Sequence, residues 1–332
     1  TLAGWPSDCL DDCFGRVWLS PWVAWLAIRR QKICKKCNLE LIIAMQNLFL
    51  SGKSFLTICF ILIWSITGCD TTTTEIPVGD LAVAKSSETK LVTLGNKSLV
   101  LANTLASDQS NVDIRGYADL DVAEVAFEKV ASGKDDTQAK TRLADLQIRD
   151  EESPLTRLFR FYLVNPLGKY VNTTIKMPRY NGVNIDQMAG KFGIYDVDAP
   201  VSVKTWRGWV TIRSAAPDVY AKIDEGDLNY FQTSCKDDNN ANFILDKGTA
   251  LLVPSRTTDP TKNLVGRLEL TVEDGSIKIQ GLDILSGQIV KRGNGEVFQG
   301  TIDRMGGTIR MTMKKGNLVV QSWDEYLKNG GK

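Results

Sequence analysis

Histidine is absent from all 332 residues. That excludes Ser-His-Asp and Cys-His catalysis, histidine-ligated metals and the ordinary proton shuttle near neutral pH. Cysteine is scarce where a disulfide framework would need it. Four of the seven cysteines, Cys9, Cys13, Cys34 and Cys37, lie in the first 44 residues, and beyond Cys69 only Cys235 remains. An excess of one charge is missing too. Of 40 Lys and Arg, seven precede residue 69; of 39 Asp and Glu, four do, which leaves 33 and 35 and a net charge of −2 from Cys69 onward. Readers of nucleic acid usually carry a basic excess, so no nucleic-acid partner is expected. Long apolar runs are lacking as well. Val17 to Ile28 and Phe55 to Trp64 both fall short of the roughly 20 residues of a membrane-spanning helix.

What is present begins with residues 45 to 69, MQNLFLSGKSFLTICFILIWSITGC. Met45 is the first methionine; Lys53 and the apolar run follow, and small residues precede Cys69. These are the parts of a secretory signal peptide. Ile66-Thr67-Gly68-Cys69 resembles the lipobox of bacterial lipoproteins. The resemblance implies that Cys69 is acylated on sulfur and begins a mature chain of 264 residues, anchored in the cell envelope and facing the periplasm. Asp70 directly after it implies, by the sorting rule of enteric bacteria, the inner membrane, with the outer membrane as the alternative. Residues 1–44 are expected to be an upstream leader foreign to the working protein. The competing reading of that leader is a zinc knuckle built from Cys9, Cys13 and the Cys34–Cys37 pair. Residues 45–68 are then the signal peptide and 69–88 a flexible polar tether.

The expected fold class is α+β: a small layer of about three helices, then a mostly antiparallel β-rich domain, barrel or sandwich-like. Residues 89–170 are assigned a hairpin and the helical region. Lys90 to Leu94 and Ser98 to Ala102 flank Gly95-Asn96-Lys97, a hairpin by turn chemistry. Asp121 and Glu124 have capping-box spacing ahead of Val122, Val125, Ala126 and Val130, predicting a first helix. Asp136 caps a second with Ala139, Leu143, Leu146 and Ile148 inward, and Ser153-Pro154 opens a third with Leu155, Leu158, Phe159 and Tyr162 on its face. Residues 171–332 alternate apolar and polar residues between glycine turns. A hairpin is expected there about Glu273-Asp274-Gly275, then strands joined by tight links at Gly293-Asn294-Gly295, Gly306-Gly307 and Lys315-Gly316, with Ile309, Met311 and Met313 on one buried face. Asp324 to Leu327 predicts a terminal turn of helix.

Candidate sites are few. Ser87-Glu88-Thr89-Lys90 matches S-x-x-K but lacks its K-T-G partner, and is taken as solvated linker. Asp238, Asn240 and Asn242 (with Asp237 and Asn239 beside them) alternate like a calcium loop, yet Phe243 stands where that loop needs glycine and Thr249 where it needs glutamate. A polar surface loop is expected, with an improvised calcium site as the alternative; no cofactor is expected. Asp196 with Asp198, and Asp224 and Glu225 with Asp227, are the carboxylate clusters that keep a glycan hydrolase open as an alternative function. Trp206 and Trp209, three apart in a strand, should point to opposite faces, one into the core. The other, with Arg207, Arg213, Tyr195 and further tyrosines such as Tyr220 and Tyr230, is the candidate binding platform. Cys235 is expected to be buried. The favoured function is a non-catalytic binding or assembly module for an envelope protein, glycan or lipid. A minor alternative is a hollow barrel that carries an amphiphile.

Overall fold

The computed structural model describes residues 82–103, 110–163, 168–186, 189–236, 238–257, 259, 261 and 264–331. All fall in one unit, Val78–Lys332. Cys69 and the stretches expected as leader and signal peptide lie outside the described residues, as does Asp237.

Three consecutive strands define the architecture: β10 (Val201–Ser214), β11 (Asp218–Gln232) and β12 (Asn240–Val253). They pair in parallel and in register, Val201 with Val219 and Val219 with Ala241. Each is a single long strand that bends at a glycine, so its first half lies in one wall and its second half in another. Val201, Val203 and Thr205 point inward before the bend, and Val210, Ile212 and Ser214 after it. A short turn then carries the chain up to the next rung. This is a parallel β-solenoid, in which each rung rests on its neighbours.

The other strands extend both walls. On the early side, β8 (Val183–Asp186) and β9 (Ala189–Val197) make a split rung against β10. β2 (Ser98–Asn103) and β3 (Asn111–Tyr117) make the rung beyond it. Then β6 (Thr156–Leu163) adds to the first wall and β7 (Lys169–Pro178) to the second, both in parallel. Antiparallel strands finish that end: β5 (Leu146–Glu152) on β6, β4 (Val122–Gly133) on β7, and β1 (Ala82–Thr93) on β4. On the late side the order departs from the sequence. The last long strand, β17 (Thr308–Gln321), lies between β12 and β13 (Val265–Gln280). β16 (Gly295–Asp303) closes the first wall antiparallel to β13. Its far side pairs with β14 (Ile284–Ser286) and β15 (Ile289–Arg292).

The corner is a column of glycines. Gly190, Gly208, Gly226, Gly248, Gly316 and Gly275 sit opposite one another on successive rungs. All but Gly208 have φ between 140° and 149°, a region open essentially to glycine alone. A Cβ at Gly226, Gly248, Gly316 or Gly275 would overlap the carbonyl oxygen of the glycine on the adjacent rung. The corner thus demands glycine twice, by dihedral and by space. Outside it, in-register side chains pair: Arg207 with Glu225 at 3.3 Å, Glu225 with Lys247 at 2.9 Å, and Lys315 with Asp274 at 3.2 Å.

The space between the walls is filled. Leu101, Phe127, Phe159, Phe161, Phe192, Phe243, Phe298 and Met313 are all at most 2% exposed. Phe127 meets Phe159 and Phe161 edge-on, with centroids 5.3 and 5.7 Å apart. A carrier barrel would be hollow here.

The α+β expectation is overturned: the chain is mostly β, and the three-helix layer is not there. Only the second helix forms, as α1 (Asp136–Ala144), capped by Asp135, whose side chain accepts from the Gln138 N–H at 2.7 Å. The first is strand β4. Ala123, Val125 and Phe127 are buried alternately, a period of two that the helical spacing of Val122, Ala126 and Val130 masked. The third is β6. Ser153 caps no helix; its hydroxyl accepts from Thr156 N–H at 3.0 Å and tightens the β5–β6 hairpin turn. α2 (Trp323–Lys328) forms where a terminal helix was expected.

The mostly antiparallel pairing is corrected too. β13 and β17 run unbroken through Gly275 and Gly316, so neither glycine closes a hairpin. Ile309, Met311 and Met313 are buried as expected, but in a parallel pairing. Gly95 does turn the chain, with Lys97 N–H donating to Leu94 C=O at 3.0 Å, yet β1 and β2 part to different partners. Ser87 to Lys90 lie within β1, in the stretch read as linker, where Glu88 takes Lys90 and Lys129.

Candidate binding surfaces

The bend at Gly208 decides where the predicted platform goes. Alternation is reset at the corner, so Trp206 and Trp209 both face outward and neither enters the core. Trp206 is half-buried on the first wall with the Arg207 guanidinium 4.8 Å from its ring centre. Trp209 is 50% exposed on the second wall, with Lys191 Nζ 5.5 Å from its ring. Tyr195 and Arg213 are register partners on that same wall, and Arg115 lies 5.3 Å from the Tyr195 ring. The structure therefore unites Trp209, Arg213 and Tyr195, and separates Trp206 and Arg207 from them. Tyr230 is a core residue, and its burial raises the phenol well above its ordinary range. Cys235 is half-buried, with Sγ 3.2 Å from the Arg304 carbonyl.

The sequence did not single out a groove of about 470 Å³ across the outer face of the first wall. It runs perpendicular to the strands. Its floor is one register row: Val100, Asn184, Ser202, Tyr220, Asn242 and Arg310 on six adjacent strands. Parallel in-register pairing puts these side chains at the strand spacing of about 4.8 Å. Arg310 is held at one end by Glu269, Nε to Oε2 2.6 Å, and that hydrogen bond lowers the Glu269 pKa. Asn184, Ser202 and Asn242 offer hydroxyl and amide donors and acceptors, and Tyr220 an aromatic face. The signal that would have found this row was the repeat itself: apolar residues at alternate positions, then a glycine seven residues after Val201, Val219, Ala241, Leu268 and Ile309. Unequal spacings between the glycines hide it.

The calcium candidates fall at the turn into β12. Asn240 Nδ2 donates to the Asp238 backbone carbonyl at 3.1 Å, and Asn242 belongs to the groove. Among the described residues no group of three or more His, Cys, Asp or Glu is placed to hold a metal ion.

Three of the five carboxylates of the hydrolase alternative are engaged elsewhere. Asp198 binds Arg179 at 2.6 Å. Asp227 accepts from Thr249 N–H at 3.1 Å and Oγ1 at 2.6 Å. Glu225 takes Lys247 and Arg207, and the Lys247 hydrogen bond is the largest cause of its lowered pKa. A glycosidase acid needs the opposite shift. The groove itself holds one carboxylate, Asp218.

No family model matches the chain, and no curated protein matches it. Among solved structures, it is similar to a candidate cell adhesion protein from Clostridium sporogenes, with 12% identity and a TM-score of 0.39. That alignment covers 72% of this chain and 100% of the other. It is also similar to a candidate adhesin from Bacteroides fragilis, with 10% identity, a TM-score of 0.33, and coverage of 72% and 98%.

Proposed function

We propose that this chain is a lipid-anchored envelope protein that binds an extended polar polymer, a glycan strand, along the outer groove of the first wall, without catalysis. The in-register row from Val100 to Arg310 carries the proposal. Beyond Val100 it presents a polar or aromatic group at each rung, and a linear pyranose chain repeats at nearly the rung spacing. Tyr220 stacks on a sugar face while Asn184, Ser202 and Asn242 bond its hydroxyls. The engaged carboxylates favour binding over hydrolysis. The resemblance of Ile66-Thr67-Gly68-Cys69 to a lipobox supports an anchor at Cys69, with the Thr71 to Thr74 stretch as its tether.

The binding test is retention of the full chain on purified envelope glycan, set beside envelope protein and lipid fractions. Tyr220→Ala and Asn242→Ala should each weaken glycan retention about tenfold, the equivalent of about 1.4 kcal/mol, while Trp209→Ala leaves it intact. The reverse pattern would move the site to the second wall. Mass spectrometry of the protein expressed from Met45, alongside Cys69→Ala, tests the anchor. An unacylated wild-type chain ends the lipoprotein reading.

A further inference from the structure

The two ends of the solenoid are finished differently. Solenoids need terminal caps with a polar outer face. At the early end, α1 packs on β1, β4 and β5. The outermost strands there are charged: β5 carries Asp150, Glu151 and Glu152, paired with Arg157, Arg160 and Lys97. β1 carries Lys85 and Glu88, paired with Glu128 and Lys129. Charge of this kind blunts a sheet edge against pairing.

At the late end charge is confined to the two tips of the edge, Asp283 at one and Lys291 with Arg292 at the other. Among the described residues β14 and β15 pair with β16 on one side only, and every residue of both is exposed. Ile284, Leu285, Ile289 and Val290 are 40 to 57% exposed. Ile284 and Ile289 are the register partners of Ile302 and Phe298, which are fully buried. The rows of the core thus run on past β16 and stop in the open. A strand apolar on both faces, with an unpaired edge, is a template for another strand.

We infer that this edge is a dimer interface, in which β14–β15 pairs antiparallel with the same segment of a second copy of the chain. Charge complementarity selects that occupant. The segment is acidic at its start, with Asp283, and basic at its end, with Lys291 and Arg292. A two-fold axis near Gly287 and Gln288 lays the basic end of one copy beside the partner's Asp283. It also sets Leu285 against the partner's Val290, and the reverse, as a closed isologous interface requires. A parallel pairing would lay Asp283 on the partner's Asp283 and Lys291 on the partner's Lys291.

Sedimentation equilibrium of the full chain in detergent tests this. The wild type should be a dimer, and Ile289→Lys and Val290→Lys should each raise its dissociation constant at least a hundredfold with the β circular-dichroism spectrum unchanged. Asp283→Lys alone and Arg292→Asp alone should each weaken the dimer, and the double variant should restore it. Asp283 also holds Arg256, a contact that stays broken in the double variant, so restoration isolates the contact between copies. A monomeric wild type, an open-ended oligomer, a dimer indifferent to both lysine variants, or no restoration would each overturn the inference. If a lysine variant fails to fold, the charge-exchange set decides alone.

Discussion

The rungs from β10 to β12 and the strands before them turn the same corner by different means. In β10, β11 and β12 one strand serves both walls, and the bend costs nothing beyond a glycine at φ near 140° to 150°, except at Gly208. In the early part, β6 and β7 occupy those two walls as separate strands. A continuous strand is cheap in chain length and intolerant of substitution. Separate strands spend more chain and depend instead on side-chain packing, with Phe127, Phe159 and Phe161 at the centre.

The sharpest way to break that contrast is Gly248→Ala. The new Cβ meets a neighbouring backbone carbonyl that cannot rotate away. The loss should exceed about 4 kcal/mol, the exceptional range for one substitution, and show as failure to fold or a collapsed midpoint in denaturant. Tolerance of alanine there would refute the corner argument. In the early part the largest effect should come from packing. Leu101→Ala removes a fully buried side chain and should cost about 3 kcal/mol in chemical denaturation. Asp135→Ala removes the α1 cap and should cost about 1 kcal/mol, read as earlier amide exchange in α1.

The smallest effect belongs to the corner's charges. Glu225 has its folded pKa lowered by Lys247 and Arg207. Its contribution is therefore present above the ordinary carboxylate range and lost as pH falls through the lowered value. Glu225→Gln should flatten the acid limb of the stability curve slightly and leave neutral stability nearly unchanged. A large effect at neutral pH would mean that the exposed ladder matters more than exposed ion pairs usually do.

Much of the strand content was legible. The alternation of Ile309, Met311 and Met313 marks a buried face, and the Gly293-Asn294-Gly295 link joins β15 to β16. The pairing was not legible, because glycine serves two geometries. Gly95 and Gly293, with φ of 55° and 62°, turn the chain back; Gly275 and Gly316, at 143° and 140°, bend a strand that continues. Residue identity is the same in both. The groove was hidden for a related reason: Asn184, Ser202, Tyr220, Asn242 and Arg310 are far apart in sequence and become a row only through parallel register.

Sequence alone determined the chemistry denied to this protein, through the missing histidine, and the shared buried face of Ile309, Met311 and Met313, through the two-residue period of a strand. It also carried the lipobox resemblance at Cys69. Tertiary structure decided which strands meet, that β17 enters between β12 and β13, and that Trp206 and Trp209 both face outward. The physical reason is that side-chain alternation is a local property of backbone geometry. Register and strand order are set by contacts between distant rungs, and a glycine's dihedral is chosen by the neighbour it must clear.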